Sequence, residues 1–326
     1  SSAISTPQSR LRKAVSTRSI RGVMRTMLDF RVETFLAVCR HMNFTKAARE
    51  LNITQPAVSH HIHYLEQAYG TVLFQHNGKR LQLTEAGEIL RRTLLTMKHD
   101  EQHLQKRMQQ AASGTRDYSF GATLSVAEFM INEALGRFLQ LHPDSHIQMQ
   151  VADTKVLLSK LDSGELDFAV VEGDFPKAEY DFFVFGTEEY VAAGDPEKAA
   201  RYRGRCLTDL LVEPLLLREE GSGTRVILEY YLKEHGLAAA DFARTVEIGN
   251  IGAIKTLLKS GYGVSFLYRA AIRPEEAAGT LGVIELSDFR LRHDIMFLFP
   301  KNSNFRADYT AIFRELRACA EETGSA

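Results

Sequence analysis

Between Phe44 and Leu65 two short helical patterns meet at a tight turn, and this unit constrains the fold more than any other part of the 326-residue chain. The first opens at Thr45, read as its N-cap, and turns Ala47, Ala48 and Leu51 inward before stopping at Leu51-Asn52-Ile53. Thr54 then caps a second helix that has Pro56 in its first turn, where a missing N–H does no harm, and that runs to about Tyr69 before Gly70. Val58, Ile62 and Leu65 form its buried face, which leaves Gln55, Ser59, His60 and His63 outward. Two helices so joined, the second with hydrogen-bonding side chains at its free N-terminal end, make the unit that fits a DNA major groove.

The flanks agree with that reading. Upstream, Leu28, Val32, Phe35, Cys39 and Met42 fall at the spacing of one apolar helical face. Downstream, Val72-Leu73-Phe74 and Leu81-Gln82-Leu83 flank His76-Asn77-Gly78-Lys79-Arg80, a hairpin with Asn-Gly at its tip and two cations suited to phosphate. From Thr84, with Glu85 in the first turn, a long helix carries Leu90, Leu94, Met97, Leu104, Met108 and Ala111 near a seven-residue repeat, interrupted by Glu101. So narrow a stripe suits pairing with a second helix, and this is read as a dimerisation helix.

Beyond the hinge-like Ser113-Gly114-Thr115 the pattern changes to short apolar strands alternating with helices. Strands are expected at Tyr118–Gly121, Ile147–Val151, Leu166–Val171, Pro214–Leu217, Gly263–Leu267 and Ile295–Phe299. Helices are expected at Val126–Leu141, Thr154–Ser163, Arg225–His235, Ile251–Ser260 and Tyr309–Glu321. Such alternation implies α/β architecture with mostly parallel sheets.

A net charge of −1 hides an uneven distribution: residues 1–26 hold six cations and no acid, so the rest carries −7. That basic head has a transit-peptide-like composition but is read as an unstructured or cloning-derived segment, outside the fold argument. Cys39, Cys206 and Cys319 stand far apart without paired spacing, which points to a reducing compartment. No apolar run approaches the roughly 20 residues of a membrane span, and the one near Leu210–Leu217 is broken by Glu213 and Pro214, so a soluble, cytoplasmic protein is expected.

From about residue 27 onward the chain resembles the LysR-type transcriptional regulators. The resemblance rests on Phe44-Thr45-Lys46-Ala47-Ala48, Leu51 through Ser59, Leu65-Glu66, Gly70, Leu73-Phe74 and Leu83-Thr84-Glu85-Ala86-Gly87, in that order and spacing. It implies a winged helix-turn-helix over 27–85, a linker helix and hinge over 86–115, and an effector domain over 116–326. That last domain would comprise two α/β subdomains of periplasmic-binding-protein type, one of about 116–190 plus 270–326 and one of about 191–269. By the same resemblance the base-edge readers fall on Gln55, Pro56, Ser59 and His60, with His63, Thr45 and Thr54 beside them and His76, Lys79 and Arg80 in the wing. Gln suits adenine, Ser either groove partner, and Pro or Thr a thymine methyl. The family's usual Arg is His60 in the reading helix and His76 in the wing, which makes both weaker, pH-sensitive contacts.

Ligands of strand–helix folds sit where helix N-termini face a cleft. Four junctions qualify: Thr123-Leu124-Ser125, Asp153-Thr154, Ser222-Gly223-Thr224 and Asn250-Ile251. In the family these places line the inducer pocket. Each residue can equally be an ordinary N-cap, but together they favour a small anion such as a carboxylate or oxyanion. Asp153, where many relatives carry Asn, points instead to a cationic or amine-bearing effector. The stretch Arg218–Arg225 resembles a branch that includes regulators of sulfur assimilation and of carbon fixation.

The rival readings are a two-subdomain enzyme, a solute-binding protein and a thiol-based redox sensor at Cys206. Gly221–Gly223 lacks a phosphate-loop Lys, Ser222 is not framed as a hydrolase nucleophile, and no second thiol neighbours Cys206. His60, His61 and His63 lack the further partners a metal would need. The expectation is a non-enzymatic regulator without cofactor or metal. It would bind double-stranded DNA at an interrupted inverted repeat as a homodimer or homotetramer and respond to a small molecule.

Overall fold

The computed structural model describes residues 27–323, so the basic head at 1–26 lies outside the described residues. The N-terminal unit is built from α1 (Phe30–His41), α2 (Phe44–Glu50), α3 (Gln55–Tyr69), the hairpin β1 (Phe74–Asn77) and β2 (Arg80–Leu83), and the 29-residue α4 (Glu85–Ser113). Phe35, Leu36, Val38, Ala47, Val58, Ile62, Leu73 and Leu94 close its core. Leu94 lies on α4, so the start of the linker helix belongs to this core, and the boundary expected after residue 85 cuts through a packed unit.

Local chemistry sets these elements. Asp29 caps α1 through its carboxylate on the Arg31 N–H, Thr54 caps α3 on Ala57, and Gly70 ends α3 in the left-handed region. Asn77 pairs with Arg80, so the hairpin turns on Gly78-Lys79, one residue past the expected Asn77-Gly78, with Gly78 at φ +62 supplying the positive angle. The wing is tied at its base: Thr84 Oγ1 donates to Val72 O at 2.7 Å and accepts from Gly87 N–H at 3.0 Å. A Cβ at Gly87 would strike Leu73 O, which explains glycine there.

The remaining chain forms β3 (Arg116–Ala122), α5 (Leu124–Phe129), α6 (Asn132–Leu141), β4 (Ser145–Val151), α7 (Thr154–Ser163), β5 (Phe168–Val171), β6 (Tyr180–Gly194), α8 (Pro196–Arg201) and β7 (Pro214–Leu217). It continues through α9 (Gly223–Glu234), β8 (Arg244–Glu247), α10 (Ile251–Lys259), β9 (Val264–Tyr268), α11 (Arg273–Ala277), β10 (Gly282–Ile284), β11 (Leu291–Pro300) and α12 (Arg306–Thr323). Two parallel trios, β4-β3-β5 and β8-β7-β9, are the lobes of one sheet. The expectation of mostly parallel strands needs correcting, because β6 and β11 run antiparallel and join the lobes. Tyr180–Tyr190 pair with β11, and Tyr190–Ala193 continue onto β9. The return crossing is also later than residue 270: β10 pairs with Ala192–Gly194 in the second lobe, and β11 carries the chain back.

The helix expected over Val126–Leu141 is two helices. Met130 and Ile131 are both drawn into the core at the break, and Asn132 Nδ2 bridges it to Glu128 O at 3.0 Å. Among the described residues no helix is long and apolar enough to cross a membrane.

Candidate nucleic-acid interface and effector cleft

The reading helix presents its N-terminal face openly. Thr54, Gln55, Pro56, His60 and His63 are exposed and Ser59 is half-exposed. Gln55 Nε2 donates to Ser59 Oγ at 2.9 Å, which holds two polar tips together over one turn. His63 pairs with Gln67 at 3.0 Å. Thr45 is exposed, but the N-cap of α2 is Asn43, whose Oδ1 accepts the Lys46 N–H at 2.9 Å; Thr45 sits within the first turn. His76, Lys79 and Arg80 are exposed on the wing. His61 is different. Its Nδ1 meets Thr34 Oγ1 at 2.9 Å and its ring packs edge-on against Phe30, while burial and then the Arg31 and His60 charges push its pKa down. It is part of the α1–α3 packing.

Three of the four strand–helix junctions come together where the two lobes meet, around Glu172. Thr123, at the end of β3, donates to the carboxylate of Glu172, which follows β5, and Ser125 also hydrogen-bonds that carboxyl. Thr154 Oγ1 donates to Glu172 O at 3.3 Å. From the other lobe the start of α9 closes in: a Cβ built on Gly223 would lie 3.5 Å from Glu172 Oε1, and one on Gly221 would lie 3.7 Å from Asp153 Oδ2. Thr123, Ser125, Glu172, Arg218, Ser222 and Thr224 are all buried, whereas Asp153 is exposed and Leu124 half-buried.

The caps are informative. Thr123, Asp153 and Ser222 occupy N-cap positions without a side-chain capping bond. Thr123 turns to Glu172 instead, and Ser222 Oγ lies 2.8 Å from Thr224 Oγ1. Asn250 is an ordinary cap, accepting the Ala253 N–H at 2.9 Å, with Ile251 buried behind it. It touches the cleft indirectly through Gly249, which abuts Glu219. Glu219 holds the buried Arg218 bidentately at 2.7 and 2.5 Å; burial alone would raise its pKa, but the Arg218 contact outweighs this and holds it below the usual range.

Sequence reasoning did not single out Glu172 or Tyr268. Glu172 is buried, and burial raises its pKa against the pull of Thr123, its backbone bonds and Arg218. Tyr268 is 1% exposed, and its hydroxyl has no hydrogen-bond partner. Only the end of an apolar run at Val171 and a lone acid hinted at the first. Two voids of about 800 Å³ border this region, one between α1, α4 and α7 that reaches Thr154 and one along α9 and β11 that reaches Gly173. Cys206 is exposed, its Sγ 3.6 Å from Ser287 Oγ.

Residues 31–88 match the model of the bacterial regulatory helix-turn-helix protein, lysR family, and residues 112–320 match the LysR substrate binding domain. The chain belongs to the LysR family. It is a LysR-type transcriptional regulator with a DNA-binding helix-turn-helix and an effector-binding domain. It is 28% identical over 302 residues to the RuBisCO operon transcriptional regulator of Acidithiobacillus ferrooxidans, covering 89% of this chain and 94% of that one. To CysL of Bacillus subtilis it is 25% identical over 269 residues, covering 82% and 89%. These relatives are transcriptional regulators. Among solved structures, full-length LysG of Corynebacterium glutamicum with bound effector Arg aligns at TM-score 0.58 and 19% identity, over 91% of this LysR-type chain and 99% of that one. The Synechocystis CcmR regulatory domain in complex with 2-PG aligns at TM-score 0.56 and 20% identity, over 63% and 98%. At such identities the two structures speak for the fold alone.

Proposed function

We propose that this LysR-type regulator works in the cytoplasm as a homodimer or pair of dimers, reads an interrupted inverted repeat with α3 and the wing, and is controlled by a small anionic metabolite or oxyanion. Base edges are met by Gln55, Pro56, Ser59 and His60, and the flanking backbone by Thr45, Thr54, His63, His76, Lys79 and Arg80. The effector is held by Thr123, Leu124, Ser125, Asp153, Thr154, Ser222, Gly223, Thr224, Asn250 and Ile251. One observation carries the effector reading: three helix starts meet at one cleft with cap residues that do not cap, so N–H and hydroxyl donors are collected where an anion would sit. Among proteins of this fold, the CcmR domain is seen with 2-PG and LysG with Arg, so both ligands serve as probes.

Binding of the full chain to its own upstream DNA, followed by fluorescence anisotropy from 50 to 200 mM salt, tests the first half. Affinity should fall steeply with salt. Adding 2-PG, sulfate or arginine tests the second: the anions should alter affinity or footprint. A response to arginine alone would assign the cleft to cations, in line with Asp153.

A further inference from the structure

Glu172 is an odd residue to find where an anion should bind. Its carboxyl is buried, and transferring an ionised carboxylate out of water is costly unless partners compensate. The partners are those an anionic ligand would want. Thr123 and Ser125 hydroxyls bond it from its own lobe. From the other, it lies against the first residue of the 12-residue α9, whose N-cap Ser222 makes no capping bond. Arg218, buried behind, contributes positive charge to the same carboxyl. A second observation also points to a ligand: the Tyr268 hydroxyl, buried and without a partner, is close enough to Glu172 for the carboxyl to be its leading charged influence. A buried hydroxyl of this kind ordinarily finds an acceptor.

We propose that the Glu172 carboxyl is a built-in occupant of the effector seat, holding the two lobes together on the donor set that an anionic effector takes by displacing it. This rests on the anionic reading of the cleft given above and adds a specificity-determining residue to it. Glu172 sets how strongly an anion must bind, because each effector has to compete with an acid already in place. A neutral ligand, with no charge to offer Arg218 and α9, would leave Glu172 where it is.

The test uses the full chain, with sulfate as the probe because its charge is constant near neutral pH. Calorimetric titration should show Glu172→Gln and Glu172→Met binding sulfate roughly ten-fold or more tighter than wild type, since a like charge has been removed at close range. Met keeps the side-chain volume without a buried charge and so protects the test against a folding defect in the Gln variant. In wild type, amide exchange at Thr224 and Arg225 should slow when sulfate is added. Sulfate binding no tighter in either variant, or unchanged exchange at α9, overturns the proposal. So does arginine binding that is present in wild type and lost in Glu172→Gln, which would make Glu172 a direct cation ligand. DNA affinity measured on the same samples separates the failures: with DNA binding and a wild-type response to anions intact, only the role of Glu172 falls.

Discussion

Histidine plays two opposite parts in this chain, divided by burial. His60, His63 and His76 stand exposed where a nucleic acid would lie, while His99 is sealed between α4 and the effector domain. There Nε2 bonds Leu166 O at 2.9 Å and Nδ1 faces the Tyr309 hydroxyl at 3.4 Å. Burial pushes its pKa down to about 4, against the opposing pull of the Leu166 carbonyl and of Asp167 and Asp100, with His103 adding to the depression. Because the folded value lies below the unfolded one, the unfolded chain binds the extra proton, so stability is intact above about pH 6.5 and is lost as pH falls toward 4. Full protonation would cost about 3 kcal/mol. Urea unfolding at pH 7 and pH 5 should show this loss in wild type and a reduced one in His99→Gln, which keeps a donor for Leu166 O; equal losses in both would refute the assignment. At the reading helix, Gln55→Ala should weaken operator binding by about 1–3 kcal/mol and relax one base position, whereas Lys79→Ala should weaken all sequences alike and lower the salt slope by about one. Anisotropy on the operator and on a scrambled duplex distinguishes these outcomes. The sequence makes Gln55 and Lys79 visible because local helix and turn patterns expose them. Glu172 is invisible to such patterns, since Thr123, Ser125 and the start of α9 are about 50 residues away in sequence and reach it only through the folded sheet.

Elements were legible where one local rule governs them. Thr154–Ser163 and Pro214–Leu217 coincide with the expected segments, and α3 begins at its Thr54 cap. Strand β6, at 15 residues the longest strand described, went unread because it serves two lobes: beside β11 only Tyr180, Phe185 and Tyr190 are buried, and burial becomes continuous at Ala192–Gly194, so no single period describes it. The α2 cap slipped to Asn43 because either polar residue satisfies the local signal. Helix α4 shows tertiary context dividing one repeat. Leu90 and Leu94 turn into the N-terminal core, Glu101 is buried and accepts the Met27 N–H, and Met97, Leu104 and Met108 are left 46%, 37% and 66% exposed. That remaining stripe is the seam on which the proposed dimer depends. Leu104→Glu would place like charges across it and should raise the dimer dissociation constant roughly 100-fold or more while leaving the monomer folded. Sedimentation velocity across a concentration series reads this directly, and an unchanged profile would move the dimer contact elsewhere.

For the whole molecule the question is whether its DNA-binding and effector-binding parts unfold together. They share α4, whose middle is bound to the effector domain by polar contacts. Asp100 accepts from Ser303 Oγ at 2.5 Å and from Asn304 N and Nδ2, both at 2.9 Å. Lys106 meets Asp167 at 2.8 Å, Arg91 meets Glu179 at 2.9 Å, and Thr96 donates to Lys301 O at 3.0 Å. Asp100 is buried, so its three accepted bonds act in a low-dielectric setting where breaking them leaves donors unsatisfied. With this joint intact, the two parts should melt in one calorimetric transition, because opening either exposes the face of α4 that the other covers. Asp100→Ala should remove roughly 3 kcal/mol of coupling, on the usual cost of losing hydrogen bonds to a charged group. The thermogram should then split, with the N-terminal unit melting first because its core is the smaller. A single transition at an unchanged temperature in Asp100→Ala would mean that α4 lies on the effector domain without being held by it, and that any signal from the cleft reaches the reading helices by another route.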